Sequence, residues 1–167
     1  MKRIILDTNI YGRLVMDSER EFMYSQLHDK QIFIVYGCNV IRRELRETPK
    51  KIRSAGKNLR IDLLNTYDGL VRETYDITPE IQKLADQYYG LYREFGGSLA
   101  LDDIKTDFLI VACASLHNLD IVVSDDKRTL LIENALKAYT HVNSIRELKN
   151  PTFIGYDILK KEIKRST

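Results

Sequence analysis

Two rhythms of apolar and polar positions run along this chain. Short unbroken apolar runs at Arg3 to Asp7, Ile32 to Val35 and Ile121 to Ser124 have the length and composition of strands buried on both faces. Val71 to Ile77 alternates and reads as another strand, and Tyr139 to Val142 as a short fifth one. Between the strands the period lengthens. Ser18 to Leu27 and Val40 to Glu47 read as helices, and the residues just after Asp7 as a polar turn. Pro49 suits the first turn of a further helix running towards Leu64, with Thr48 as its cap and Gly69 breaking the pattern. Thr78-Pro79 starts a helix that places Ile81, Leu84, Ala85, Tyr88, Leu91, Tyr92 and Phe95 on one face, and Gly96-Gly97 ends it. Asp102 is expected to cap an alanine-rich helix reaching His117, followed by a helix over Thr129 to Ala138 and a helical turn over Ser144 to Leu148. Strands alternating with helices predict an α/β fold whose parallel sheet is covered on both faces.

Carboxylates stand at the edges of these segments. Asp7 ends Ile4-Ile5-Leu6, Glu44 follows Val40-Ile41, Asp107 opens Phe108-Leu109-Ile110-Val111, and Asp126 follows Ile121-Val122-Val123. If strands carry Asp7 and Asp126 and helices carry Glu44 and Asp107, all four can meet at the carboxyl ends of a parallel sheet, where open α/β folds bind ligands. Two carboxylates about 4 Å apart repel by roughly 4 kcal/mol at an effective dielectric near 20, so a cluster takes up protons or holds a cation. Singly, each acid has an ordinary structural role: a turn for Asp7, a surface ion pair for Glu44, a helix terminus for the others. Asp103 and Asp125 are additional candidate acids; Asp103 lies one turn before Asp107 on the same helix face, and Asp125 stands beside Asp126.

The ordered set resembles a known family. Ile5-Leu6-Asp7-Thr8-Asn9 is similar to the opening signature of PIN-domain nucleases, and Arg43-Glu44-Leu45 stands where that family keeps its second acid. Asp107 leading Phe108 to Ala114 resembles the third block, and Val122-Val123-Ser124-Asp125-Asp126 the fourth, with Ser124 for the commoner Thr. The resemblance spans roughly residues 2 to 148 and implies a PIN-like three-layer α/β/α sandwich around a central, mostly parallel sheet of four or five strands. Residues 1–149 are then the nuclease domain and 150–167 a basic helical extension of it. Asp7, Glu44, Asp107 and Asp126 become the expected catalytic acids, with Asp7, Asp107 and Asp126 as metal ligands. Thr8, Asn9 and Ser124 are expected to hold those carboxylates in place. All-oxygen donors select Mg²⁺ or Mn²⁺ over zinc, and His28, His117 and His141 are too scattered to argue otherwise. The implied activity is metal-dependent endoribonuclease, in particular that of VapC-type toxins, which dimerise and are inhibited by a small antitoxin. A housekeeping RNA-processing nuclease and a silent PIN-like binding module are the alternatives. A phosphohydrolase using Asp7 as nucleophile is disfavoured by Asn9, where that chemistry wants a second Asp.

Composition sharpens the substrate more than the fold. The 167 residues are 44% hydrophobic, enough for one continuous core, and the net charge is only +2. The excess is local: Arg42, Arg43, Arg46, Lys50, Lys51, Arg53, Lys57 and Arg60 face only Glu44 and Glu47 within their stretch. A phosphate backbone guided along Arg42, Arg43, Arg46, Lys50, Lys51 and Arg53 would arrive at Glu44, which makes RNA the expected partner. Lys160, Lys161, Lys164 and Arg165 read as an exposed tail helix. Cys38 and Cys113 have no ligand spacing, so no zinc site or disulfide framework is expected. Cys113 reads as core filler, and Cys38 as partly exposed. No apolar run approaches the roughly 20 residues of a membrane span, so the expected location is the cytoplasm. Tyr88 and Tyr92 fit core packing, while Tyr89 lies off the apolar stripe and is the candidate for a homodimer surface.

Overall fold

Apolar runs too short for helices pair side by side, and every loop between them carries a helix back across the sheet. The computed structural model describes residues 1–29 and 31–167. In chain order these form β1 (Lys2–Leu6), α1 (Thr8–Met16), α2 (Arg20–His28), β2 (Phe33–Cys38), α3 (Asn39–Arg46), β3 (Arg53–Ser54), β4 (Lys57–Asn58) and α4 (Leu59–Leu70). There follow β5 (Val71–Tyr75), α5 (Pro79–Glu94), α6 (Leu101–Leu116), β6 (Ile121–Val123), α7 (Glu133–Ile145), β7 (Thr152–Ile154) and α8 (Tyr156–Arg165). Five strands make one parallel sheet in the order β5-β2-β1-β6-β7, and β3 and β4 make a separate antiparallel ribbon. The central strands β2 and β6 are buried along their whole length, as continuous apolar runs in a covered parallel sheet should be. Edge strands β5 and β7 keep exposed residues.

Several elements differ from the expected ones. Residues 8–16 form a helix rather than a turn, because Ile10, Tyr11, Leu14 and Val15 make an apolar stripe and Asp7 caps it through Thr8 N. The stretch after Pro49 is not helical. Ala55 and Gly56 both take positive φ, 49° and 76°, which closes the two-residue turn between β3 and β4. Helix α4 therefore starts at Leu59 with Asn58 as its cap, and runs on through Gly69, where a Cβ would lie 2.1 Å from the Tyr24 hydroxyl. Tyr139 to Val142 lies inside α7, where Ala135, Ala138, Tyr139 and Val142 share the buried face. The fifth strand is β7 instead. The cap of α6 is Ala100, so Asp102 and Asp103 occupy its exposed first turn, while Thr78 and Pro79 start α5 as expected.

The C-terminal residues complete the sheet edge and pack on the domain. Tyr156, Leu159 and Ile163 of α8 are buried, and Lys160 reaches Asp17 at 2.9 Å and Glu19 at 2.7 Å, so α8 is not an exposed tail. A buried polar cluster ties helices together on the other side: the Tyr88 hydroxyl donates to Asn143 Oδ1 at 2.6 Å and lies 3.1 Å from Ser115 Oγ, whose own proton completes that contact. Tyr88 and Tyr92 are wholly in the core, and Tyr89 is half-buried against Phe108 with its hydroxyl donating to Leu99 O. Cys38 is buried too, not partly exposed. Among the described residues, no helix is long and apolar enough to cross a membrane.

Candidate active site

Parallel pairing sets Leu6 beside Val123, so Asp7 and Ser124 leave the sheet together at its carboxyl edge. Asp7 is almost fully buried and held from three sides. Its Oδ1 accepts from Thr8 N at 2.7 Å, and its Oδ2 from Ser124 Oγ at 2.7 Å and Asn9 Nδ2 at 3.2 Å. Asn9 and Ser124 thus hold this carboxylate through their side chains, and Thr8 through its backbone amide. Glu44 enters from α3 and Asp107 from α6, both partly buried. Burial raises the Glu44 pKa to about 7, with the nearby Asp7 charge adding to it. Burial likewise raises Asp107 to about 7, against a hydrogen bond from Thr129, and Asp7, Asp126 and Glu44 push it further. Asp7 is also raised, by burial first, and opposed by its bonds to Ser124 and Thr8. Acids from four separate elements therefore share one electrostatic site.

Not every candidate contributes equally. Asp126 spends its oxygens on its own loop: Oδ1 accepts from Arg128 N and Thr129 N, and Oδ2 from Thr129 Oγ1 at 2.6 Å. It acts on the cluster as a fixed charge with one shared neighbour, Thr129, whose hydroxyl is bonded to Asp126 and also lies close enough to Asp107 to hold its pKa down. Asp125 faces elsewhere. Its Oδ2 pairs with Arg13 at 2.6 Å and its Oδ1 accepts from Tyr156 N at 2.9 Å, so it caps α8, whose own N-cap residue is Gly155. A Cβ on Gly155 would come within 2.7 Å of that carboxylate. Asp103 is exposed and outside the cluster. Among the basic residues, Arg42 is committed to Asp68 through two bonds of 2.9 Å, whereas Arg43, Arg46, Lys50, Lys51 and Arg53 are exposed. Thr129 and Tyr139 were not expected in the site. The Asp126-to-Thr129 spacing of an Asx turn signals the first; the second is a core aromatic, its hydroxyl bonded to Leu130 O, whose pKa the acids Asp107, Asp7 and Asp126 raise further after burial.

The donor chemistry fits a hard divalent cation. The candidate ligand atoms are all carboxylate oxygens, and one of the two buried side-chain polar atoms without a partner among the described residues is Thr8 Oγ1. It lies near enough to Glu44 to lower that pKa, yet outside hydrogen-bond geometry, which leaves a polar atom free beside the acids. Among the described residues, no three His, Cys, Asp or Glu side chains close into a ready cage. Mg²⁺ does not require one, since it keeps several waters and takes one or two carboxylates plus substrate oxygens.

The architecture is that of the PIN domain: a parallel five-stranded sheet between helical layers, with acids at its carboxyl edge. Solved structures share it. The chain is similar to one in VapBC2 from Rickettsia felis bound to a DNA fragment from their promoter, at TM-score 0.59 and 14% identity, over 92% of this chain and 98% of that one. It is similar to one in FitAB bound to an IR36 DNA fragment, at TM-score 0.57 and 15% identity over 92% and 94%. A third likeness is to FitAcB from Neisseria gonorrhoeae, at TM-score 0.56 and 18% identity over 90% and 96%. At these identities the likeness establishes the fold. No family model and no curated protein matches the sequence.

Proposed function

We propose that this chain is a Mg²⁺- or Mn²⁺-dependent endoribonuclease acting as the toxin of a toxin-antitoxin pair. The observation that carries the reading is the convergence of Asp7, Glu44, Asp107 and Asp126, with Glu44 and Asp107 both raised to about 7. Asp7 and Asp107 would hold the cation, with Asp126 adding charge from its loop. What such a cation supplies when bound is a more acidic water and charge compensation at the phosphate. The protein does the rest. Thr8, Asn9 and Ser124 keep the Asp7 carboxylate in one orientation. Glu44, which is not among the residues holding the cation and is poised near neutrality, can take a proton from an attacking water or return one to a leaving oxygen. Exposed Arg43 and Arg46, on the same helix as Glu44, draw the phosphate backbone towards the acids. The structures of like fold are toxin-antitoxin assemblies, which supports a small antitoxin partner here, and a homodimer is the assembly the resemblance implies.

The reading is tested with purified protein and a panel of RNAs in Mg²⁺, Mn²⁺ or chelator. Wild type should cut only with metal, and Asp7→Asn and Asp107→Asn should bind RNA without cutting it. Wild type that binds every RNA and cuts none would instead identify a silent binding module. Expression of wild type, and not of Asp7→Asn, should arrest growth if the role is that of a toxin.

A further inference from the structure

The β3–β4 ribbon serves no part of the core. Each of its strands is two residues long, and none of its residues is buried. It is nonetheless held firmly at its base. Asn58 Nδ2 donates to Lys50 O at 2.8 Å, Leu59 N to Ile52 O at 3.0 Å, and Asn58 Oδ1 accepts from Ile61 N. At its tip Ala55 and Gly56 sit in the left-handed region, where an alanine is strained, so the turn is fixed and small. No acidic residue occurs between Glu47 and Asp62, while Lys50, Lys51, Arg53 and Lys57 are all exposed.

The register decides how those cations are displayed. Arg53 pairs with Asn58 and Ser54 with Lys57 in an antiparallel ladder. Directly paired residues share a face and successive residues alternate, so Arg53 and Lys57 lie on opposite faces of the ribbon. A track for one nucleic-acid strand needs cations along one face. A thin arm with a cation on each face matches a groove, where two phosphate rows look at each other. We infer that the β3–β4 ribbon is a duplex-reading arm, which lies in the wide, shallow minor groove of a base-paired RNA segment with Arg53 on one backbone and Lys57 on the other. The inference rests on the ribonuclease reading and narrows its substrate to RNA with a stem beside the cleaved strand. The contacts are to shape and phosphate, so they carry no base sequence.

Binding in chelator tests the arm without any cleavage. Salt-dependent affinities are measured for an RNA stem-loop, an unstructured RNA of equal length and a B-form DNA duplex, using wild type, Arg53→Gln, Lys57→Gln, and the charge-keeping Arg53→Lys and Lys57→Arg. Each Gln variant should weaken stem-loop binding and lower its salt slope by about one unit, with a clearly smaller loss on unstructured RNA. The charge-keeping variants should bind the stem-loop like wild type. Loss from only one Gln variant, or equal losses on unstructured RNA, would overturn the two-faced arm; equal losses on B-form DNA would overturn the assignment to RNA. Metal-dependent cutting of unstructured RNA, measured separately, reports on the nuclease reading, so failure of the arm and failure of the enzyme are distinguishable.

Discussion

Removing the Asp107 charge should stabilise the metal-free protein at neutral and alkaline pH. Burial, and then the neighbouring acids, raise this carboxyl from 3.8 to about 7, against the Thr129 bond, so the fold favours its neutral form. That contribution is complete below the unfolded pKa near 4 and is lost as pH rises through about 7. A shift of about 3 units at about 1.4 kcal/mol each gives about 4 kcal/mol as an upper value for the loss between pH 4 and pH 8. For a domain of this size, 1 kcal/mol moves Tm by about 2–4 °C, so the full loss corresponds to roughly 10 °C. Glu44 titrates in the same window but is more exposed, and adds less. Asp107→Asn keeps the neutral shape at all pH values. In chelator its Tm should match wild type near pH 4 and exceed it by several degrees at pH 8, read by circular dichroism or calorimetry. A variant that melts at or below wild type at pH 8 would refute the claim that this acid is held in a repulsive, buried site.

Three further substitutions probe how the site is held. Gly37→Ala places a Cβ 2.1 Å from the Tyr67 hydroxyl on the buried strand β2 and should cost about 2–3 kcal/mol in urea denaturation, whereas a neutral result would mean the Tyr67 ring moves freely. Asp125→Ala removes the cap of α8 and the Arg13 pair; it should cost about 1 kcal/mol while leaving Mn²⁺ affinity near wild type, and a loss of metal binding as deep as in Asp7→Asn would make Asp125 a ligand. Ala55→Asn gives the Asn-Gly turn that positive φ at both positions favours and should stabilise by about 0.5 kcal/mol, while a destabilised variant would argue against the left-handed turn.

The acids were legible because each sits where an apolar segment ends, and a parallel sheet gathers such ends at one edge. Asn9 and Ser124, whose side chains hold Asp7, were legible for the same reason, standing within two residues of an acid in the sequence. What the sequence hid is what depends on distant partners. Arg42 reads as a free cation until Asp68, 26 residues away, neutralises it. Asp125 reads as a spare ligand until the backbone of Tyr156, 31 residues on, claims it. Local signals also competed. Asp7-Thr8-Asn9 suits a turn and a helix cap equally, and the apolar stripe at Ile10 to Val15 decides for the helix. Tyr139 and Val142 favour a strand by residue type, yet their four-residue-period partners Ala135 and Ala138 place them on a helix. Pro49 was compatible with a helix start, and only the left-handed pair Ala55-Gly56 makes the ribbon.

The central claim is that the acids that follow β1 and β6 and those on α3 and α6 form one cation site. Calorimetric titration of the metal-free protein with Mn²⁺ near pH 7, repeated in two buffers of different ionisation enthalpy, addresses it directly. With Glu44 and Asp107 both near half protonation, one cation per chain should bind with release of about one proton, and Asp7→Asn and Asp107→Asn should each weaken binding strongly. Binding of equal strength in both variants, or binding without proton release, would contradict the shared site.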